Sequence, residues 1–160
     1  ICATYTRAPY NMDISIVRFF NVYGYHSNQD GRVVLEFISR ALGGKDIEVH
    51  GDGESIRTFC YVDDVIHALI RLLHVSHSGA INIGSPEICN ISELARMIVS
   101  ITDSGSRIVS VPYPSDVIKH RVPNIEMMKS KLGINKYTPL IDGIRSVVSD
   151  VQHYGQTLSR

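Results

Sequence analysis

The chain has 160 residues, 44% hydrophobic and 20% charged, which suits one compact core but not two ordinary domains. Sixteen basic and sixteen acidic residues cancel, so the composition carries no signal for nucleic acid or an anionic membrane surface. No apolar run approaches the roughly 18 residues of a membrane span. The three cysteines form no Cys-x-x-Cys pair, which predicts reduced thiols and no metal site. The sequence does not decide whether the protein is located in the cytosol or in the Golgi lumen.

The first predicted elements alternate between strand and helix. Residues 14–20 are apolar except at two positions, which predicts a strand buried on both faces of a parallel sheet, with Arg18 as a paired structural arginine. Apolar residues then recur at helical spacing over 33–42, and two glycines end the pattern. Residues 47–50 predict a short strand that leads into a turn at 51–53.

The middle of the chain predicts two more helices with a strand between them. Asp63 is expected to cap the first helix. Its buried stripe is predicted to consist of Val65, Ile66, Leu69, Leu72 and Leu73. Residues 80–83 predict a strand, and residues 90–93 have the spacing of a capping box at the start of the next helix.

The last third predicts a strand at 108–111 and two closing helices, at about 125–132 and 139–154. Thr138 is expected to cap the final helix, with proline in its first turn. The elements together predict a mixed α/β chain with short strands in a helix-rich lobe.

Three segments carry motifs: VRFFNVYG at 17–24, DGRVVLEFI at 30–38 and IEVHGDGESIRTFCYVDDV at 47–65. They resemble the substrate-binding half of the extended short-chain dehydrogenase/reductases, the family of nucleotide-sugar epimerases, dehydratases and decarboxylases. The Gly-Arg-Val-Val that follows Asn-x-Tyr-Gly is most similar to the UDP-glucuronate decarboxylases of that family, also called UDP-xylose synthases.

The resemblance implies a fold class: the α/β C-terminal part of an NAD(P)-binding Rossmann-like enzyme, with its small mixed α/β substrate-binding lobe. Residues 1–24 would complete the Rossmann-like domain. Residues 25–160 would be mostly the substrate-binding domain, with segments at about 58–85 returning to the Rossmann sheet. The family's glycine-rich loop and Tyr-x-x-x-Lys pair do not occur in this sequence. We therefore expect a C-terminal fragment, inactive alone, of an enzyme that is a homodimer at full length.

The implied reaction uses NAD to oxidise carbon 4 of UDP-glucuronate, after which the 4-keto acid loses carbon dioxide and reduction gives UDP-xylose. The dTDP-glucose 4,6-dehydratases and UDP-glucose 4-epimerases share the fold and the first oxidation, so both remain alternatives. A noncatalytic module for nucleotide-sugar binding or oligomerisation is an alternative of another class. A Gly-x-x-Gly-x-x-Gly and a Tyr-x-x-x-Lys upstream would favour the enzyme.

Four residues near the first strand are candidates for ligand contact. Asn21 directly follows the strand, at the carboxyl end where open α/β sheets place their ligands. The resemblance implies that Asn21 contacts the nucleotide sugar near its phosphates, and an Asx turn is the alternative. It also implies a cofactor contact for Val22 and His26, and a contact of Tyr5 with the sugar, for which a core position is the alternative.

Arginines are the other candidates, because a guanidinium matches a diphosphate in charge and geometry. Arg57 occupies the arginine position of the family's Gly-x-Gly-x-x-x-Arg-x-Phe motif. The resemblance implies that Arg57 grips the diphosphate and takes a catalytic part in protonating the product; a surface charge is the alternative. Arg32 and Val33 belong to the Gly-Arg-Val-Val segment, which implies substrate contacts for both and a cofactor contact for Arg32. The alternative for Arg32 is a solvated charge at a helix start.

Two further positions complete the predicted substrate site. His50 stands where the family has a tyrosine that lies against the base, and imidazole also offers a flat face. Arg121 resembles an arginine that reaches back to the diphosphate, although Asn124 replaces the family's aspartate. Asp63 and Asp64 are paired carboxylates at a predicted helix start, which favours capping over acid–base chemistry.

Overall fold

The computed structural model describes residues 9–10, 12–25, 32–77, 79–113 and 118–154. Nine short strands and five helices are described there. The strands are β1 (Ile16–Phe19), β2 (Val22–Tyr23), β3 (Ile47–His50), β4 (Ile56–Thr58), β5 (Cys60–Tyr61), β6 (Ala80–Ile83), β7 (Ile88–Asn90), β8 (Ile108–Val111) and β9 (His120–Arg121). The helices are α1 (Val33–Leu42), α2 (Val62–Leu72), α3 (Ile91–Thr102), α4 (Glu126–Leu132) and α5 (Leu140–Tyr154).

Four small sheets connect these elements. The strand pairs β1–β6, β2–β5 and β3–β8 are all parallel, and each is joined through intervening helices as parallel strands require. Strand β4 lies between β7, which is antiparallel to it, and β9, which is parallel. This arrangement confirms the predicted α/β class.

The buried side chains form two clusters that meet at the β2–β5 pair. The first cluster lies among β3 and helices α1, α3 and α5, and its fully buried members include Phe37, Ile38, Ile47, Leu94, Ile98, Ile144 and Val147. The second lies among β6 and helices α2 and α4, with Ile81, Ile83, Met128 and Leu132 at its centre. Tyr23 of β2 belongs to the first cluster, and Cys60 of β5 belongs to the second.

Several sequence predictions are confirmed. Helix α1 ends at Leu42, and β3, β6 and β8 have the predicted bounds. The capping box at the start of α3 is complete: Asn90 Oδ1 accepts the Glu93 N–H at 2.7 Å, and Glu93 Oε2 accepts the Asn90 N–H at 2.9 Å. These elements follow from local sequence because periodicity and capping are local properties.

Strand β1 is shorter and more exposed than predicted. Ile16 is 39% exposed and Phe19 is 51% exposed, so the prediction of a strand buried on both faces is wrong for this chain. Arg18 is also exposed and has no ion pair among the described residues, contrary to the expectation of a paired arginine. The reason is that β1 pairs with β6 alone among the described strands.

The start and stripe of α2 also differ from prediction. The helix begins at Val62 with Tyr61 at its N-cap position, so Asp63 lies in the first turn and is not the cap. Ile66 is 49% exposed and Leu73 is 83% exposed, although both were predicted to be buried. The prediction is confirmed for Val65 and Leu72, which are buried together with Ala68 on the face of α2 that packs against α4 and β5.

The final helix begins at Leu140, and Thr138 is not its cap as predicted. The backbone N–H and hydroxyl of Thr138 both donate to the Asp64 carboxylate, at 2.9 and 3.0 Å. Glu87 Oε2 accepts the Leu140 N–H at 2.7 Å. Carboxylates at a helix N-terminus satisfy free N–H groups and interact favourably with the helix dipole. Two acidic residues from distant parts of the chain therefore fix the start of α5.

Helix α5 packs closely on β2 through a glycine. The Tyr23 hydroxyl donates to the Leu140 carbonyl at 3.5 Å, and a Cβ added at Gly143 would overlap that hydroxyl. Tyr23 also packs against Tyr61, with ring centroids 5.5 Å apart, and the Tyr61 hydroxyl lies 3.0 Å from Ser146 Oγ. The absence of a side chain at Gly143 thus sets the distance between α5 and the β2–β5 pair.

We predict that Gly143→Ala lowers the free energy of unfolding by about 1–3 kcal/mol, because the methyl group overpacks the buried Tyr23 contact. Chemical denaturation of the variant and the parent protein measures the change. Gly105→Ala is the matched control, since a Cβ at Gly105 meets nothing within 4 Å. Equal stability of the Gly143 variant and the parent would show that the helix accommodates the methyl group without cost.

Candidate functional site

A cavity of about 550 Å³ lies where β1 and β2 end, against the N-terminal part of α1. That volume falls within the range of small-molecule sites. Four predicted site residues line it: Asn21, Val22, Arg32 and Val33. The remaining wall consists of Phe19, Tyr23, Val34, Leu35, Phe59 and Val65. The cavity is therefore mostly apolar, with one amide and one guanidinium.

Asn21 forms the corner between β1 and β2. Its φ of 38° lies in the left-handed region, which asparagine adopts more readily than most residues. Its Nδ2 donates to the Thr58 carbonyl at 2.8 Å, and its own carbonyl accepts the Cys60 N–H at 3.1 Å. The side chain thus reaches a distant strand instead of closing an Asx turn. Among the described residues, its Oδ1 accepts no hydrogen bond.

Arg32 occupies the N-cap position of α1, with extended φ and ψ of −96° and 104° and no side-chain capping bond. Its guanidinium is exposed, and Nη1 donates weakly to the Val22 carbonyl at 3.4 Å. The first backbone N–H groups of a helix have no partner within the helix, so they favour an anion. Arg32 and the start of α1 therefore place positive charge at one side of the cavity.

Arg57 lies on β4 beside Arg121 of β9, and the two residues are partners in the strand register. The Arg57 guanidinium donates to backbone carbonyls: Nη1 to Ile56 at 2.7 Å and Lys119 at 3.2 Å, and Nη2 to Ile118 at 2.5 Å. Partial burial and the nearby charge of Arg121 lower the pKa of Arg57 below its ordinary value. An anion bound between the two guanidinium groups would relieve this repulsion.

Neither arginine of this pair has a carboxylate at ion-pair distance within 12–25, 32–77, 79–113 and 118–154. Two adjacent guanidinium groups without an acidic partner form a donor set suited to phosphate oxygens. Arg57 and Arg121 do not line the cavity at Asn21. The two places are connected through Thr58, which follows Arg57 in β4 and whose carbonyl accepts the Asn21 amide.

The remaining predicted residues lie elsewhere. His50 is exposed at the end of β3, with Nδ1 3.0 Å from the Pro112 carbonyl, and does not line the cavity. Tyr5 and His26 fall outside the described residues. In the part of the chain that the structure describes, no group of three histidine, cysteine or acidic side chains could hold a metal ion, and no helix is long and apolar enough to cross a membrane.

Cys60 and Cys89 are free and buried. Burial, followed by the nearby Asp64 charge, raises the pKa of the Cys60 thiol to about 12. Burial is also the main reason why the pKa of the Cys89 thiol is raised to about 11. Both thiols are therefore protonated near neutral pH and are poor nucleophiles.

Sequence reasoning missed two aromatic residues of the cavity wall. Phe59 lies in the same motif as Arg57, and the spacing of that motif was a signal that could have identified it. Phe19 was assigned only to a buried strand. Their rings supply flat apolar surface beside the amide of Asn21.

Parallel strand pairs with a ligand-sized cavity at the carboxyl ends of β1 and β2 define an α/β protein of the Rossmann-like class. Residues 1–84 match the NAD dependent epimerase/dehydratase family. The chain belongs to this family.

Similar proteins agree with that assignment. The chain is 35% identical over 150 residues to UDP-glucuronic acid decarboxylase 1 of Danio rerio, covering 92% of this chain and 35% of that protein. It is 36% identical over 142 residues to UDP-glucuronic acid decarboxylase 3 of Arabidopsis thaliana, covering 88% and 42% respectively. The crystal structure of UDP-glucose 4-epimerase with UDP-glucose from Thermotoga maritima superposes with a TM-score of 0.87 at 26% identity, over 98% of this chain and 50% of that one. The chain thus spans less than half the length of these curated relatives.

We predict that Asn21→Asp lowers the free energy of unfolding by about 1–3 kcal/mol, because it removes the donor and places a carboxylate against the Thr58 carbonyl. Aspartate tolerates the same φ, so backbone strain is not the cause. Denaturation near neutral pH measures the effect. Asn124→Asp is the control, since Asn124 Oδ1 accepts the Glu126 N–H and aspartate keeps that acceptor. If both variants matched the parent, the amide bond to Thr58 would contribute nothing to stability.

Proposed function

We propose that the complete protein is an NAD-dependent UDP-glucuronate decarboxylase, and that this chain supplies its nucleotide-sugar-binding half. The observation that carries the proposal is the Arg57–Arg121 pair, two neighbouring guanidinium groups without a carboxylate partner in the described ranges. The choice of UDP-glucuronate is supported by relatives 35% and 36% identical that are named UDP-glucuronic acid decarboxylases.

In this proposal the arginine pair holds the diphosphate, and the cavity at Asn21 receives the adjoining part of the ligand. Asn21 Oδ1 accepts a hydrogen bond from a ligand hydroxyl, while its Nδ2 stays bonded to the Thr58 carbonyl. When the arginine pair binds the diphosphate, the sugar attached to it is held in one orientation in the cavity. Such positioning contributes to catalysis. The sequence prediction that Arg57 also takes part in protonating the product would require its guanidinium to reach the sugar, whereas Arg57 does not line the cavity proposed to hold it.

The described residues fit the edge of a nicotinamide cofactor. Val22 and Arg32 share one wall of the cavity, where an apolar surface adjoins a guanidinium. NAD, when bound, supplies a hydride acceptor that can return the hydride after carbon dioxide has left. Val22 would then exclude water from the ring, and Arg32 would attract a phosphate oxygen.

The predicted division of the chain forms part of the proposal. Residues 1–24 and about 58–85 would join the Rossmann-like part, which the parallel β1–β6 pair supports. Exposed apolar side chains on α2 and directly after it, including Ile66, Ile70 and Leu73, line an open groove of about 730 Å³ with β1. The nucleotide-binding half of the complete protein would cover this surface, and the complete protein would be a homodimer.

A UDP-glucose 4-epimerase is the second candidate, favoured by the Thermotoga maritima structure at 26% identity over 98% of this chain. Supplying the complete protein with NAD and, separately, UDP-glucuronate, UDP-glucose and dTDP-glucose distinguishes the candidates. UDP-xylose from UDP-glucuronate supports the decarboxylase. UDP-galactose from UDP-glucose, with UDP-glucuronate unchanged, would support the epimerase instead.

We predict that Arg57→Ala in the complete protein weakens UDP binding by more than about tenfold, equivalent to ~1.5 kcal/mol, because it removes a charge-assisted contact with the diphosphate. Isothermal titration calorimetry measures the dissociation constant. Arg96→Ala, at an exposed position on α3, removes the same charge elsewhere and should leave UDP binding unchanged. An unaltered dissociation constant for the Arg57 variant would exclude this residue from the site.

The 160-residue chain by itself should not convert UDP-glucuronate, because its sequence has no Tyr-x-x-x-Lys pair and no glycine-rich dinucleotide loop. Incubation with UDP-glucuronate and NAD, followed by chromatography for UDP-xylose, tests this expectation. Steady formation of UDP-xylose by the purified chain would show that other residues perform the proton and hydride steps.

A further inference from the structure

The turn that precedes Arg57 has a geometry that few residues adopt. Gly51 and Gly53 have φ values of 66° and 72°, in the left-handed region that favours glycine. Asp52 Oδ1 accepts the Glu54 N–H at 3.1 Å, which closes the turn on itself. Because β4 begins at Ile56, this turn lies directly before the strand that carries Arg57.

Tyr113 packs directly on this turn. A Cβ added at Gly51 would overlap the Tyr113 ring, so the ring lies flush against the glycine backbone. The Tyr113 hydroxyl lies 3.2 Å from Asp52 Oδ1 and 3.2 Å from Ser55 Oγ. One side chain, more than fifty positions away in sequence, thus contacts the first, second and fifth residues of the segment 51–55.

Backbone bonds hold the neighbouring chain in the same place. The Gly51 N–H donates to the Val111 carbonyl at 2.7 Å, and Ser110 Oγ donates to the Gly51 carbonyl at 2.6 Å. On the other side, the Ile56 N–H donates to the Lys119 carbonyl at 2.7 Å. Segment 110–113 therefore contacts the turn at Gly51, and segment 118–121 contacts β4 at Ile56.

The second of these segments, 118–121, contacts the Arg57 guanidinium. Arg57 donates to the carbonyls of Ile118 and Lys119, and Lys119 Nζ lies 3.5 Å from Asp52 Oδ2. The Glu54 N–H, the Tyr113 hydroxyl and the Lys119 ammonium lower the pKa of Asp52, so this acceptor is ionised near neutral pH. A continuous set of contacts thus runs from Tyr113 through Asp52 to the segment that holds Arg57.

We propose that Tyr113 is a positioning residue of the anion site: its hydroxyl holds the Gly51–Ser55 turn so that the Arg57 guanidinium faces a nucleoside diphosphate. This inference rests on the proposed function. In this proposal, Tyr113 carries no charge and does not contact the diphosphate. It affects the binding of the diphosphate only through Arg57.

A double-mutant cycle on the complete protein, with UDP as the probe, tests the proposal. Tyr113→Phe keeps the ring on Gly51 and removes two hydrogen bonds, and we expect it to weaken UDP binding roughly threefold to tenfold. In the Arg57→Ala background the same change should alter binding by less than about twofold, because a residue that acts through Arg57 has nothing left to position. A purely structural role would give the same loss in both backgrounds.

Tyr137→Phe is the matched control, since it removes a tyrosine hydroxyl that makes a hydrogen bond outside the 51–55 turn, donated to the Ile134 carbonyl at 3.0 Å. It should leave UDP binding unchanged. If Tyr113→Phe does not fold, Ser55→Ala removes one of the two hydroxyl partners and should weaken binding about twofold, again only when Arg57 is present.

The outcomes separate this proposal from the proposed function. Weaker binding in Arg57→Ala together with normal binding in Tyr113→Phe and Ser55→Ala would overturn the role of Tyr113 alone. Equal losses from Tyr113→Phe in both backgrounds would also overturn it. Normal UDP binding in Arg57→Ala would contradict the proposed function itself.

Discussion

The hydrogen bond from Asn21 to the Thr58 carbonyl is the contact on which the arrangement of the site depends. Asn21 follows β1, which pairs with β6, and Thr58 is the last residue of β4, the strand that carries Arg57. A second bond, from the Cys60 N–H to the Asn21 carbonyl, fixes the same corner. The two core clusters meet at the adjoining β2–β5 pair. The corner at Asn21 therefore fixes the position of the cavity wall relative to the strand that carries Arg57.

The separation of these two places suits an elongated ligand. The cavity offers apolar surface, one amide and one exposed guanidinium, whereas the arginine pair offers two positive charges. A nucleotide sugar has the same division, with a charged diphosphate between less charged groups. Aligned guanidinium groups gain most from an anion when they have no acidic partner. This division between a charged place and an apolar place is what supports the proposed function.

Local sequence predicted the parts of the fold that local physics determines. The capping box at Asn90, helix α1 and strands β3, β6 and β8 follow from periodicity and capping. The exposure of β1 could not be predicted, because it depends on which strands lie beside it. The start of α5 depends on carboxylates from distant segments, and the contact of Tyr113 with Gly51 joins residues far apart in sequence. Motif resemblance predicted Arg57 and Asn21 as site residues, but not that Arg57 lies outside the cavity that Asn21 lines.

In the proposed function, the Arg57–Arg121 pair and the Asn21 cavity bind one ligand. A crystal structure of the complete protein with UDP-glucuronate would show whether they do. We expect diphosphate oxygens about 3 Å from the Arg57 guanidinium, with the adjoining sugar in the cavity that Asn21 lines. A diphosphate bound elsewhere, with Arg57 still donating only to the carbonyls of residues 56, 118 and 119, would exclude a shared site.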